Sequence, residues 1–273
     1  MTVASTVLTI ERTGHVATLW LDNPARRNAM GPAFWDDLPV VGRALSDDPE
    51  VRAVVLAGKG PHFTTGLDLT AFADIGGGGG GNSEAARRQK TLRMIRRMQG
   101  SITALADSTK PVIAAVHGYC LGGGIDLITA CDVRLASADA VFSVRETRIA
   151  IVADVGTLQR LPGIVGEGHV AELAFTGKDI SAARAKEIGL VNDVHPDAGA
   201  VVAAAQAMAA EIAANSPLAV QGTKAILQQR RQRAVADGLD YVSLWNTAFL
   251  QSNDLMEAMA AFAQKRPPRF TGE

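Results

Sequence analysis

Three carboxylates and two glycine-bearing loops are the parts of this sequence best suited to chemistry. Asp154 stands in Ile151-Val152-Ala153-Asp154-Val155-Gly156, where nearly every neighbour is apolar or small. A carboxylate in such company is either a hydrogen-bonded anchor or a group kept out of water to carry a proton, because burial disfavours its charged form. Glu146 lies eight residues upstream, and Asp126 closes Gly122-Gly123-Gly124-Ile125-Asp126. Carboxylates that sense one another separate in proton affinity, so one can act as an acid while its partner stays a base.

The loops supply a different kind of group. His62-Phe63-Thr64-Thr65-Gly66-Leu67-Asp68-Leu69 follows the buried-strand pattern Val51–Ala57, and Gly118–Asp126 follows the similar run Val112–Val116. Glycines opening a helix leave amide donors free, with the positive end of the helix dipole behind them. Two such loops facing each other would form an oxyanion hole for a developing enolate. Neither fits a phosphate loop or a dinucleotide fingerprint, since Gly-Lys-Ser/Thr and G-x-G-x-x-G are both missing. Blander uses compete. Asp154 could cap a helix over 156–161, and Glu146 could pair at the surface with Arg145, Arg148 or Lys178. Asp126 could complement its own helix dipole, and Asp68 could cap a helix.

The elements that must hold these groups alternate in type. Val7–Ile10 and Val16–Leu21 read as a hairpin, Pro32–Leu45 as a helix that Pro39 should bend or break, and Val133–Ala136 as a further strand. Helical patterns cover 84–106, 122–131, 156–161, 167–175 and 181–188. The predicted class is therefore α/β with largely parallel pairing. From about residue 199 the chain turns all-helical, with helices over 201–214, 217–231, 234–251 and 253–264, which suggests a body over 1–198 and an assembly region over 199–273. Gly76–Gly81 is six consecutive glycines and reads as a disordered loop.

Bulk properties narrow the function classes. With 47% hydrophobic and 20% charged residues, the 273-residue chain can bury a large core. Its net charge of 27 − 28 = −1 gives no global field toward nucleic acid or membrane. The N-terminus lacks a secretion pattern and no apolar run is long enough to span a bilayer. Cys120 and Cys131 read as reduced core thiols, so a soluble, cytoplasmic protein is expected.

The loop sequences resemble those of a known family. His62–Leu69 and Gly118–Asp126 look like the two signature loops of the crotonase (enoyl-CoA hydratase/isomerase) superfamily. Asn23-Pro24-Ala25-Arg26-Arg27-Asn28-Ala29-Met30 resembles its acyl-CoA-contacting loop, and Ala261–Phe270 its C-terminal signature. Asp126–Asp132, Ala153–Pro162 and Tyr241-Val242-Ser243-Leu244-Trp245-Asn246 look most like the dienoyl-CoA isomerase branch. The resemblance implies a spiral of ββα units with a C-terminal helical region that builds homotrimers or dimers of trimers. It implies an acyl-CoA substrate, no separate cofactor and no metal. It also implies catalytic acids at Asp126, Glu146 and Asp154, and oxyanion donors at the backbone N–H groups of Leu67 and Gly123. Substrate contacts would fall on Arg26, Arg27, Ala29, Thr65, Gly66, Asp68, Leu69 and Gly122, with Lys265 or Arg266 of an adjoining subunit as further CoA cations.

Two rival functions compete with the diene shift. Enoyl-CoA hydration would need positions 126 and 146 to hold a water, but Asp126 is a methylene shorter than the usual Glu and Asp154 adds a third acid. An RNA-binding use would rest on Arg87–Arg97, six basic residues in eleven, yet no aromatic side chain interleaves them to stack bases. The same stretch reads more simply as a solvated helix face. A catalytically silent assembly subunit would not need an intact acid set.

Overall fold

A computed structural model describes residues 5–71 and 83–273. The glycine run Gly76–Gly81, expected to be disordered, lies outside the described residues. Strands β1 (Leu8–Thr13) and β2 (Val16–Leu21) pair antiparallel as the expected hairpin. The sheet then continues in parallel through β3 (Ala53–Gly58), β4 (Val112–Val116), β6 (Val133–Ser137) and β9 (Asp193–His195), in the order β1-β2-β3-β4-β6-β9. Every residue of β3 and β4 is buried, as parallel strands covered on both faces require. A second small sheet joins β5 (Tyr119–Leu121), β7 (Val141–Ser143) and β8 (Ile180–Ser181). These two- and three-residue strands are too short for an alternation to show in the sequence.

The connecting helices are α1 (Pro32–Asp47), α2 (Glu84–Ala106), α3 (Gly123–Thr129), α4 (Thr157–Arg160), α5 (Glu167–Thr176) and α6 (Ala182–Glu187). Helix α1 runs through Pro39 rather than breaking there. Proline cannot donate to the carbonyl four residues back, which is that of Trp35. Ser101 Oγ of α2 supplies the missing bond, donating to Trp35 O at 2.5 Å.

The helical tail comprises α7 (Ala198–Ala214), α8 (Pro217–Phe249) and α9 (Asn253–Ala263). Where the sequence suggests two helices, over 217–231 and 234–251, the chain forms one helix of 33 residues. The polar run around 228–233 is rich in Gln and Arg, which favour helix and break nothing. Helix α7 lies on the large sheet: Val201, Ala205, Ala209 and Ala213 are buried with Val55, Ala57, Ile113 and Ala115. Small side chains every fourth residue let it sit close. The other face of the sheet belongs to the larger core built on α1, α2 and α3.

Candidate active site

The two glycine loops are stitched together. Thr64 N–H donates to Tyr119 O at 2.9 Å and Leu121 N–H to Thr64 O at 3.3 Å, a parallel bridge between Thr64 and Cys120. The early loop joins them: Thr64 Oγ1 donates to Asn28 O at 2.6 Å, Met30 N–H to Gly66 O at 2.8 Å and Asp68 N–H to Met30 O at 3.2 Å. Asn28 is buried in a left-handed conformation (φ 54°) and its Nδ2 donates to Lys59 O and His62 O at 2.9 and 2.8 Å. Gly66 has φ +81°, and a Cβ there would overlap Leu121 O and stand 3.1 Å from Gly123 N. Only glycine allows this approach. It brings Leu67 N and Gly123 side by side, since a Cβ on Gly123 would be 3.7 Å from Leu67 N. Neither the Leu67 nor the Gly123 N–H donates to an acceptor among the described residues. A pair of adjacent unpaired amides is what an oxyanion hole needs.

Glu146 faces this pair. It opens a short 3-10 turn, Glu146–Ile149, and a Cβ on Gly122 would be 3.3 Å from its Oε1. Although its stem is partly exposed, its carboxyl oxygen Oε2 is buried without a hydrogen-bond partner. The cations proposed as surface partners are engaged elsewhere. Arg145 pairs with Asp179 at 2.7 Å, Lys178 with Glu172, and Arg148 Nη1 donates to Gly177 O at 3.5 Å. The surface ion-pair reading of Glu146 therefore fails.

Asp126 and Asp154 are 2% and 7% exposed. Asp154 is not the cap of α4; its Oδ2 accepts from Asn246 Nδ2 of α8 at 2.7 Å. The cap position belongs to Gly156, and it is Asp126 Oδ1 that accepts from Thr157 N at 2.5 Å. Thus Asp126 satisfies an orphan amide of a neighbouring helix. Around Asp154 the backbone is gripped twice. Asn246 Nδ2 also donates to Val152 O at 2.8 Å, and Gln99 Nε2 of α2 donates to Asp154 O at 2.7 Å and Leu239 O at 3.0 Å.

Burial pushes Glu146 up to about 8, and the charges of Asp126 and Asp154 add to it. Burial pushes Asp154 up to about 7, opposed by its hydrogen bond from Asn246. Asp126 is raised by burial too, while hydrogen bonding from Thr157 and the charge of Arg160 pull it back. Both carboxyls are thus raised toward neutral pH, where such a pair titrates together and a proton can be held by either one.

The remaining expected contact residues divide. Ala29, Thr65, Gly66 and Gly122 belong to the loop junction. Thr65 N–H donates to Arg27 O at 3.2 Å, leaving the exposed Arg27 side chain at the rim. Arg26 Nη2 pairs with Asp68 at 2.9 Å, and Asp68 Oδ1 also accepts from Thr70 N at 3.1 Å. Asp68 therefore caps a turn rather than a helix. Leu69 follows it, half-buried. Arg266 is held by Glu257 at 2.8 Å. The basic stretch of α2 makes ion pairs within the fold, Arg88 with Glu84 and Arg96 with Asp240 at 3.4 Å.

Sequence reasoning missed Asn246, Gln99 and Arg160 as site residues. A signal existed for the first: Asn246 ends the stretch Tyr241–Asn246 already singled out by the resemblance, and the structure buries it at 2% exposure. Replacing Asn246 by Leu leaves Val152 O and Asp154 Oδ2 without their donor, and the expected loss is about 1–3 kcal/mol. The loss should be larger at pH 8 than at pH 5. Asp154 is raised to about 7, so at pH 5 both proteins bury it neutral, whereas above about 7 the wild type can ionise it against Asn246 and the variant, its carboxyl raised further, goes on losing stability. Urea titrations at both pH values measure the difference, and an equal loss at the two would contradict the role given to Asn246.

Comparison with known proteins agrees with this geometry. The family model described as enoyl-CoA hydratase/isomerase matches residues 11–273. The Delta(3,5)-Delta(2,4)-dienoyl-CoA isomerase of Arabidopsis thaliana peroxisomes is 45% identical over 92% of this chain and 91% of its own length. The mitochondrial enzyme of the same name from Dictyostelium discoideum is 43% identical over 93% of this chain and 87% of its own length. Among solved structures, an enoyl-CoA hydratase/isomerase from Mycobacterium paratuberculosis superposes with a TM-score of 0.84 at 28% identity, covering 93% of this chain and 98% of that one. The loops, the buried acids and these likenesses point one way, and the chain is an enzyme of the enoyl-CoA hydratase/isomerase family, the crotonase superfamily.

Proposed function

We propose that this enzyme converts 3,5-dienoyl-CoA into 2,4-dienoyl-CoA. Glu146 takes a proton from C2, the carbon made acidic by the thioester. The electron pair delocalises through the diene onto the thioester oxygen, where the N–H groups of Leu67 and Gly123 meet the charge. Asp154 then delivers a proton to C6, leaving double bonds at C2–C3 and C4–C5. Asp126 touches neither carbon; it holds α4 and biases its two acidic neighbours. One proton enters Glu146 and one leaves Asp154, so a single proton passing between them resets the site. Positioned acids and bases contribute about 10²–10⁴ each in rate.

The observation that carries this reading is the buried Asp154 held by Asn246. It supplies a second buried proton site besides Glu146, as a shift over four carbons demands and simple hydration does not. The names of the Arabidopsis and Dictyostelium relatives support it. We further propose that the tail assembles the chain into a trimer or a dimer of trimers, because Leu218, Ile226, Leu244 and Phe249 leave α8 with exposed apolar surface.

Ultraviolet assay of the purified protein tests the activity, because the product diene is conjugated with the thioester. The expected result is rapid conversion of 3,5-dienoyl-CoA, with little hydration of 2-enoyl-CoA. The kcat/KM profile should be a bell with its maximum between the values of about 7 and about 8 at which the pair titrates. Fast hydration without diene conversion would make the enzyme a hydratase.

A further inference from the structure

We propose that Arg160 is a positioning residue for the isomerisation: its buried guanidinium fixes the turn that carries Asp154 and that holds Asp126 through Thr157 N–H, and sets a positive charge close to the two proton-carrying acids. The proposal rests on the function given above.

Arg160 ends α4 and folds back over the beginning of the same helix. Its side chain is almost wholly enclosed, at 6% exposure for the residue. Nη1 donates to Val155 O at 3.3 Å and Nη2 to Thr103 Oγ1 of α2 at 3.0 Å. It lies directly on Gly156, which has φ +136°; a Cβ there would overlap Nη1 and stand 2.9 Å from Cζ. The stretch Asp154–Arg160 is thus one clamp. Asp154 is at its head, Thr157 N–H holds Asp126 at 2.5 Å, and the guanidinium locks the glycine between them.

Two carboxylates act on it through space. Asp126 of α3 and Asp107, just past α2, both stabilise the charged guanidinium against the burial that disfavours it. The other titratable groups on the packed elements are committed. Lys224 of α8 pairs with Asp132 at 2.7 Å and donates to Lys110 O at 2.8 Å. Burial pushes the Cys131 thiol up to about 12 and keeps it neutral. Among the described residues, Arg160 is the cation whose charge acts on Asp126. Asp126 in turn acts on Glu146 and Asp154. A cation near three buried carboxyls offsets part of the burial and mutual repulsion that favour their neutral forms.

The surroundings also offer a means of testing this. A cavity of about 300 Å³ is lined by Arg160 together with Thr103, Asp107, Cys131, Gln232 and Leu239. A water molecule occupies roughly 30 Å³ in the liquid, so the space left by truncating Arg160 can admit a free guanidinium ion.

The experiment combines Arg160→Met, Arg160→Ala and Arg160→Lys, with two readouts. The first is the pH profile of kcat/KM with 3,5-dienoyl-CoA; the second is the carboxyl ¹³C titration of the aspartates and glutamates, which needs no turnover. Loss of the cation raises the carboxyl pKa values, so the rising limb and the Asp126 titration in Arg160→Met should both move to higher pH by about one unit. At pH 7 the rate should fall by about tenfold or more and recover in part as pH rises. Arg160→Lys keeps the charge and should keep the limb in place, with a lower kcat. Millimolar guanidinium should return part of the activity of Arg160→Ala and shift its limb back.

A folded Arg160→Met with a reduced rate but unmoved limb and unmoved titration would overturn the proposal, leaving Arg160 only a packing role. If Arg160→Met does not fold, a shifted limb in Arg160→Lys, or an Arg160→Ala limb that guanidinium fails to move, overturns it equally. A wild-type enzyme inert toward the diene would instead refute the proposed function, and the carboxyl titrations would still judge Arg160.

Discussion

Asp154→Asn is expected to lower kcat for the diene shift by about 10³-fold, within the range for loss of a positioned proton donor. The fold should be unaffected, because Asn246 Nδ2, now 2.7 Å from Asp154 Oδ2, can donate to the new amide oxygen just as well. Proton removal at C2 should survive, since Glu146 and the two amides are untouched. In deuterated water the variant should therefore still exchange the C2 hydrogens of a 3,5-dienoyl-CoA while failing to form the conjugated product. Uncoupled exchange of this kind separates the two acids by role. A variant that keeps more than a tenth of wild-type kcat, or loses exchange along with product, would show that Asp154 is not the group serving C6.

Gly66→Ala should do comparable damage from the opposite side of the substrate. An L-residue at φ +81° is strained by about 1–2 kcal/mol. More serious is its methyl group, which would overlap Leu121 O and press on Gly123 N at 3.1 Å. One loop must withdraw, and both amide donors lose their common focus. Removal of a single oxyanion donor costs about 10²–10³ in kcat, so a loss at the upper end is expected for displacing two. Substrate affinity should suffer less, because the donors are strongest toward the charged intermediate rather than the neutral thioester. The split between kcat and KM in steady-state kinetics checks this. A large rise in KM with kcat intact would assign the loop to binding alone.

Much of this architecture was legible in the residues, and for a physical reason. Parallel strands buried on both faces write themselves as continuous apolar runs, and loops that approach within contact distance write themselves as glycine. Val51–Ala57, Val112–Val116, Gly66 and Gly122–Gly124 are all of this kind. Asp154 was conspicuous because a carboxylate among Ile, Val and Ala must be explained. The part that did not show was everything depending on distant partners. Asn246 lies 92 residues from the carboxylate that it holds, and Gln99 is 55 from the carbonyl that it caps. Asp126 looked like a complement to its own helix and turned out to cap α4. The unbroken course of α8 was hidden for the converse reason: a polar stretch between two apolar ones reads as a boundary, although nothing in it prevents a helix from continuing.

The double grip on Val152 and Asp154 by Asn246 and Gln99 has an outcome that reaches beyond the site. In the proposed mechanism the thioester is grasped by segments before residue 130, whereas the carboxylate of Asp154 is held by Asn246 on a helix that begins only at residue 217. Under that mechanism, the grip on the head of the substrate draws on the first half of the polypeptide alone, while the acid that decides where along the tail a hydrogen lands depends also on the C-terminal helices. Changes near the C-terminus could redirect the chemistry without loosening the hold on CoA, a route by which a shared scaffold can diversify its reactions.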